Sequence, residues 1–156
     1  MPGWPLRPEM AADEKFVTRL VAVVKAGELE PYDFEEAMLR SLLDLQARSY
    51  HAAMESAFPG AERLIVTTPQ GKPFGRMVIM RRPNRFDLAE IMLLPEFREQ
   101  GIGTALLRGL LALAALEECQ VRTLVIPRGP AWRFFRRLGF TEIAMEGRRC
   151  LMEAQP

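Results

Sequence analysis

The chain reads as an α/β domain, and three features of the sequence predict it. Two stretches with helical spacing of apolar residues come first, and after Pro59-Gly60 the period changes to β-rich runs set apart by proline, glycine and asparagine turns. An apolar strand from Phe86 to Leu94 then runs through a glycine-spaced turn into a long apolar helix, and a further apolar strand follows, which is the order of a βαβ unit. The chain ends on two short runs that fit a hairpin.

Taken in order, Trp4 to Pro8 is expected as a short edge strand, where prolines are tolerated because one side needs no ladder donor. Asp13 is placed to cap a first helix, in which Phe16, Leu20 and Val23 or Val24 recur at helical spacing. Lys25 falls in its last turn, and Gly27 is placed to stop it. Glu28 to Tyr32 is a connection. Asp33 and Glu36 form an N-terminal capping pair for a longer second helix with an apolar stripe of Phe34, Met38, Leu42 and Leu45.

Leu64 to Thr67, Phe74 to Met80 and Phe86 to Leu94 are strands joined by Pro69 to Pro73 and by Pro83-Asn84, an antiparallel meander. The helix after Gly103 carries Leu106, Leu107, Leu110, Leu111 and Leu113 and is apolar nearly all round, so it packs on a sheet face. Val121 to Ile126 is a buried strand parallel to the one before that helix. Ala131 to Leu138 is a short helix, and Phe140 to Met145 with Arg149 to Met152 is the closing hairpin.

The glycine-spaced turn is the first candidate site. Gly101 and Gly103 at a helix start leave backbone N–H groups uncovered, and those donors with the positive helix end make a seat for an anion such as a pyrophosphate. Arg98 adds a charge beside it. The turn is not a nucleotide P-loop, since no Gly-Lys-Ser/Thr follows, and it lacks the third glycine of a dinucleotide fingerprint.

Two segments carry a resemblance. The run LLPEFREQGIGTALLRGLL, followed by PAWRFFRRLGF, resembles the GNAT superfamily of N-acetyltransferases. Its motifs read Gln/Arg-x-x-Gly-x-Gly/Ala and, in a last helix, roughly Asn-Pro-Ala-x-x-x-Tyr-x-x-x-Gly-Phe. The opening WPLRPEMAADEKFVTRL is similar to the usual start of that superfamily, and the likeness is weakest between Leu29 and Phe58. The resemblance implies a mixed, mostly antiparallel sheet of roughly six to seven strands with about four helices, splayed between the fourth and fifth strands. It also implies that Arg98, Glu99, Gln100, Gly101, Ile102, Gly103 and Thr104 cradle the pyrophosphate of acetyl-CoA. The backbone of Leu93 and Leu94 would pair with its pantetheine arm. Acetyl-CoA would be a cosubstrate.

Acetyl transfer to an amine needs a polarised thioester carbonyl, an amine without its proton and a proton for the departing thiolate. Strand-end N–H groups near Leu93 serve the first. Asp87 and Glu90 on the same strand are the carboxylates for the second, Glu90 favoured because it directly precedes the apolar strand end. Three apart, they face opposite sides of a regular strand unless a bulge intervenes, and the competing reading is a solvent-facing charge. For the third, the tyrosine implied by the resemblance is replaced by Phe135, and Gly129 stands where an asparagine is expected. His51 and Cys150 are read as packing or surface residues. The arginines around Pro83-Asn84 and on the last helix are a phosphate grip or a solvated face. The acidic run Glu28, Glu30, Asp33, Glu35 and Glu36 would favour a cationic acceptor if it lined the pocket.

Composition narrows the classes. The 156 residues fit one domain over 1–156, and 21 Lys+Arg against 20 Asp+Glu give no polyanion signal, which argues against a nucleic-acid adaptor. Arg108 interrupts the longest apolar run before it reaches the roughly 18 to 20 residues that span a bilayer, and no signal-peptide core stands at the start, so the expected location is cytoplasmic. Cys119, Cys150 and a single histidine support neither a disulfide framework nor a metal site. The expected function is an N-acetyltransferase acting on an amine, with an acyl-CoA-binding module of little or no catalysis as the alternative, and a homodimer is left open.

Overall fold

Hydrogen-bond pairing settles the strand order before any helix is considered. The structure, a computed structural model, describes residues 4–29 and 35–156. Seven strands form one sheet: β1 (Leu6–Pro8), β2 (Glu62–Thr67), β3 (Pro73–Arg82), β4 (Arg85–Leu93), β5 (Gln120–Val125), β6 (Thr141–Glu146) and β7 (Arg149–Ala154), in the order β1-β2-β3-β4-β5-β7-β6. Every neighbouring pair is antiparallel except β4 and β5. The expected mixed sheet is therefore present. The proline-bearing first strand lies at an edge, as the missing ladder donors require.

The helices are α1 (Glu14–Leu29), α2 (Glu36–Ala57), α3 (Ile102–Leu116) and α4 (Pro130–Arg137). Ile65 and Val66 are adjacent on β2 and both fully buried, so the sheet is covered on both faces. Ile65 joins Val17 and Val21 of α1 and Ala47 of α2. Val66 belongs with the larger cluster that contains Leu106, Leu107 and Leu110 of α3 beside Phe86, Leu88 and Val121. Each such fully buried aliphatic side chain is worth about 1.5–3 kcal/mol relative to exposure.

Three expectations change. Gly27 does not stop α1, which runs on to Leu29: a glycine that stops a helix commonly does so by turning left-handed at C′, and Gly27 is not among the positive-φ glycines. On α2 the exposed residues include Met38 and Leu45, while Ala47 is buried and Leu43 and Tyr50 half-buried, so the inward face is turned from the stripe read in the sequence. Apolar residues lie on both sides of this helix, and spacing alone does not choose between them. Asp13 closes a 3-10 turn (Ala11–Asp13) ahead of α1 and bonds backwards, accepting the Met10 N–H at 2.8 Å. The Asp33 cap and Phe34 lie outside the described residues.

Asp13 is also the base of a salt bridge that ties β1 to this turn. Arg7 donates to both carboxylate oxygens at 2.8 Å, and the carboxylate is nearly buried. The Arg7 hydrogen bonds, aided by the Met10 N–H and opposed by burial, hold the carboxyl at about 2. The folded state thus binds this proton more weakly than the unfolded chain, so the contribution is complete above pH about 4 and is lost as pH falls towards 2. Asp13→Asn is expected to lower stability at neutral pH by roughly 1–2 kcal/mol, with the difference from wild type vanishing near pH 2, read by chemical denaturation across that range.

Candidate functional site

The site begins where β4 and β5 part. Their parallel ladder has three pairs, Arg85 with Gln120, Phe86 with Val121 and Asp87 with Arg122, and then ends. At the fork, Thr123 donates its hydroxyl to the Leu88 carbonyl at 3.0 Å and occupies the first acceptor that the departing strand would leave open. Past it, the β5 side of β4 has no strand partner among the described residues, while β5 goes on pairing with β7 as far as Val125 opposite Cys150. The sheet is open at its centre, as the resemblance implies.

At the far end of the gap stands the glycine turn. Phe74 stacks on Phe97 at 4.1 Å and Leu94 donates its N–H to the Phe74 carbonyl at 2.9 Å, which anchors the 3-10 turn Pro95–Phe97 to β3. The Arg98 Nε then donates to the Leu93 carbonyl at 3.1 Å, and the Gln100 side chain to the Glu96 carbonyl at 2.8 Å. These bonds take up two of the loop's carbonyls. The φ angle is positive at Glu99 and again at Gly101, with Gln100 between. Gly101 is the N-cap of α3 and brings no side-chain cap; the first intrahelical donor is Ala105, bonded to the Gly101 carbonyl. The N–H groups of Ile102, Gly103 and Thr104 are therefore free of helix partners. At Gly103 an added Cβ would sit 3.4 Å from the Phe134 ring of α4, so this glycine lets α4 lie close against the start of α3. Of the two residues expected to meet the pantetheine arm, Leu94 has its N–H committed to β3, and Leu93 carries Arg98 on its carbonyl.

A bulge decides the face of the sheet on which the second candidate carboxylate emerges. Ile79 faces Leu88 and the next residue of β3, Val78, faces Glu90, so Ala89 is the extra residue in β4. Phe86 and Leu88 point into the α3 cluster; without the bulge Glu90 would share their side. With it, Glu90 turns to α2, on the face that also carries Asp87.

Glu90 is buried, at 5% exposure, and both its oxygens are occupied. Arg76 grips it through Nε and Nη2 at 2.7 Å each, and the Tyr50 hydroxyl donates to Oε1 at 2.5 Å. A third Arg76 nitrogen reaches Glu9 at 3.1 Å. Burial and the Glu90 carboxylate push the Tyr50 hydroxyl far above the usual tyrosine range. For Arg76 burial works downward, but Glu90 and Glu9 outweigh it and the guanidinium is held charged.

Asp87 differs. It lines a cavity of about 410 Å³ bounded by Tyr50 and Met54 of α2, by Phe58 just after it, by Leu88 and Ala89, by β5 and by the β6–β7 hairpin. Arg82 holds it at 2.6 Å and Arg85 at 3.0 Å. Glu90 reaches this cavity only through Tyr50. Tyr50 thus separates the cleft from the buried ion pair.

Other residues named from the sequence lie outside the wall of this cavity. Phe135 is 3% exposed in the core, with ring centroids 5.2 Å from Phe134 and 5.0 Å from Phe140. Glu35 and Glu36 are exposed at the start of α2 and are absent from the cavity wall, and the rest of the acidic run has its side chains outside the described residues. His51 lines a second cavity of about 520 Å³, shared with Glu9 and Arg76, where burial first and then Arg76 lower its proton affinity. Arg81 pairs with Glu62 and lies over Phe86, and Arg136 lies over Trp132. Among the described residues no group of His, Cys, Asp or Glu could hold a metal ion, and no helix is long and apolar enough to cross a membrane.

Sequence reading missed Tyr50 and Arg76. The signal was present for one of them: an arginine inside the apolar run Phe74 to Met80 demands a buried carboxylate, and the neighbouring strand offers Glu90. Arg76→Met is expected to destabilise the fold by about 3–5 kcal/mol, because Glu90 is left charged and unpaired. In the double variant Arg76→Met/Glu90→Leu the loss is expected to be smaller than for Arg76→Met alone, which denaturant titration of both proteins measures.

With this geometry in view, relatives place the chain. The family model for the acetyltransferase (GNAT) domain matches residues 60–142. A GCN5-like protein acetyltransferase of Mycobacterium tuberculosis is 37% identical over 97 residues, which are 55% of this chain; the chain spans about half of that relative, 46% of its length. Among solved structures, the PaiA N-acetyltransferase of Thermoplasma acidophilum in complex with coenzyme A superposes with a TM-score of 0.72 at 15% identity, covering 97% of this chain and 98% of that one. An acetyltransferase of Thermus thermophilus gives 0.68 at 15% identity over 99% and 97% of the two chains. A GCN5-related N-acetyltransferase of Rhodopseudomonas palustris gives 0.65 at 19% identity over 100% and 98%. An open sheet parted beside a glycine-started helix, together with a family match over more than half of its length, makes this chain a member of the GNAT acetyltransferase family.

Proposed function

We propose that the protein is an N-acetyltransferase of the cytoplasm that moves an acetyl group from acetyl-CoA to an amine. The observation that carries this reading is the parting of β4 from β5, with the uncapped start of α3 following β4 and a cavity beneath α2 lined by both strands. In this reading residues Arg98 to Thr104 seat the pyrophosphate by their backbone N–H groups and the Arg98 charge. Leu93 meets the pantetheine arm from the open side of β4, since Leu94 is committed to Phe74. The thioester then lies by the bulge, where backbone N–H groups next to Ala89 polarise its carbonyl.

The amine attacks the carbonyl carbon, the C–S bond breaks, and coenzyme A leaves as a thiolate. Asp87 is the carboxylate of β4 in the cavity wall and takes the ammonium proton, while Glu90, with both oxygens held, keeps Tyr50 and the bulged strand in place. Phe135 has no proton to give, and the Tyr50 hydroxyl is bound to Glu90, so the second proton, which the attacking nitrogen loses as the amide forms, passes through water in the open gap to the thiolate. The second reading, an acyl-CoA-binding module with little or no catalysis, is favoured by that same missing donor at Phe135.

Calorimetric titration with acetyl-CoA, followed by thiol release against a panel of amines, separates the two. Binding with release is the expected result. Binding without release on any amine leaves the module, and no binding removes both. Arg98→Gln is expected to weaken coenzyme binding about tenfold through loss of a charge-assisted contact. Asp87→Asn, in a protein with unchanged melting, is expected to lower kcat/KM about a hundredfold while coenzyme affinity stays as it was.

A further inference from the structure

We infer that the acceptor carries an anionic group, a carboxylate or a phosphate, in addition to its amine, and that Arg149 and Arg85 receive it. The inference rests on the transferase reading above and names the class of its acceptor. Four arginines line the cavity beneath α2, Arg82, Arg85, Arg122 and Arg149, against two carboxylates, Asp87 and Glu146. Arg122 is matched by Glu153 at 2.7 Å. Arg82 and Arg85 converge on Asp87 alone, so two cations share one carboxylate. Arg149 stands opposite Glu146 in the hairpin register, yet its guanidinium makes no ion pair or hydrogen bond among the described residues. The cavity thus keeps guanidinium donors that the protein does not use.

This surplus is not the pyrophosphate seat. None of residues 98–104 lines the cavity, whose roof is α2. The rest of the wall is largely apolar, with Ala53, Met54, Ala57, Phe58, Leu88 and Leu151. Guanidinium groups beside an apolar wall bind carboxylate or phosphate through paired N–H donors more strongly than in open water. Asp87, set among the arginines, supplies the opposite charge for an ammonium. A zwitterion with an apolar body satisfies all three surfaces, and about 410 Å³ holds a small molecule of that kind.

The test uses matched pairs that differ in the anion. Product affinity is measured without coenzyme by calorimetry, with N-acetylphenylalanine against its carboxamide and N-acetyl-O-phosphoethanolamine against N-acetylethanolamine. Thiol release is measured with the corresponding free amines. The anionic member of the carboxylate or of the phosphate pair is expected to bind and react about tenfold better, and the pair that shows it identifies the anion. Arg149→Gln, on an exposed hairpin where folding is not at risk, is expected to remove that preference and leave the neutral partner and the coenzyme affinity unchanged. Arg85→Gln should act in the same direction. Equal binding and equal use of both members of both pairs overturns the inference, as does an Arg149→Gln protein that loses coenzyme affinity instead. Anion-dependent product binding with no thiol release on any amine keeps the anion site and removes the transferase reading; release that ignores the anion does the reverse.

Discussion

Two neighbouring strands that stop pairing halfway along their length leave a row of backbone donors and acceptors without partners, and burying such groups unmet costs roughly 1–3 kcal/mol each. The parting of β4 from β5 after Asp87 and Arg122 is that situation. The surrounding side chains meet part of the need. Thr123 covers the Leu88 carbonyl at the fork, Arg98 covers the Leu93 carbonyl at the strand end, and Leu94 turns its N–H to Phe74. Between them lies an unpaired strand edge, held straight by β3 on its other side. An extended chain with alternating amides is the natural complement of such an edge. The pantetheine arm proposed for it has that character.

The bulge at Ala89 links this edge to the charges. One extra residue changes the side of the sheet on which Glu90 emerges, and so places a carboxylate beneath α2 that would otherwise project among the leucines of α3. Arg76 on β3 then becomes obligatory, since a carboxylate at 5% exposure is tolerable only with its hydrogen bonds complete. Tyr50 adds the third bond and ties the middle of α2 to the strand edge. The roof of the cavity is therefore registered against its floor by a buried polar cluster. Apolar contacts alone would let α2 slide, whereas the directional bonds of Glu90 do not.

Much of this was legible in the residues, and the limits have physical reasons. Strands, turns and the apolar helix α3 follow from local pattern: Pro69 to Pro73, Pro83-Asn84 and Gly101-Ile102-Gly103 are punctuation that the backbone must obey. Gly27 misleads because a glycine that ends a helix commonly does so by turning its φ positive, and that depends on the path the chain takes beyond it. The inward face of α2 is hidden because Met38 and Leu45 are as apolar as the residues that pack. Ala89 bears no mark of a bulge at all. A bulge is a property of two strands together, and neither sequence states it alone. For the same reason Asp87 and Glu90 could be named as candidates, with Glu90 favoured, without sight of what sets them apart: Arg76 on another strand and Tyr50 on a helix 40 residues away bind Glu90 alone. The arginines around the cavity were visible as clusters. Their convergence on Asp87, and the absence of a partner for the Arg149 guanidinium among the described residues, needed the fold.

Phe135 keeps a packing role in the structure that needs no hydroxyl. The resemblance to the family motif expects a tyrosine there, whose ring packs and whose hydroxyl reacts. Here the ring remains, edge-on to Phe134 and Phe140, at 3% exposure. Phe134 in turn lies against Gly103, at the second residue of α3. The aromatic cluster therefore holds α4 against the helix start that the proposed pyrophosphate seat depends on, and it does so without an oxygen. In the proposed reaction only the protonation of the leaving thiolate changes hands, from a side chain to water. A thiolate needs that help less than an alkoxide would, because the parent thiol has a pKa of about 8.5 and its anion is a tolerable leaving group near neutral pH. Loss of the hydroxyl is thus compatible with turnover, whereas loss of the ring would loosen α4 from the mouth of the cleft.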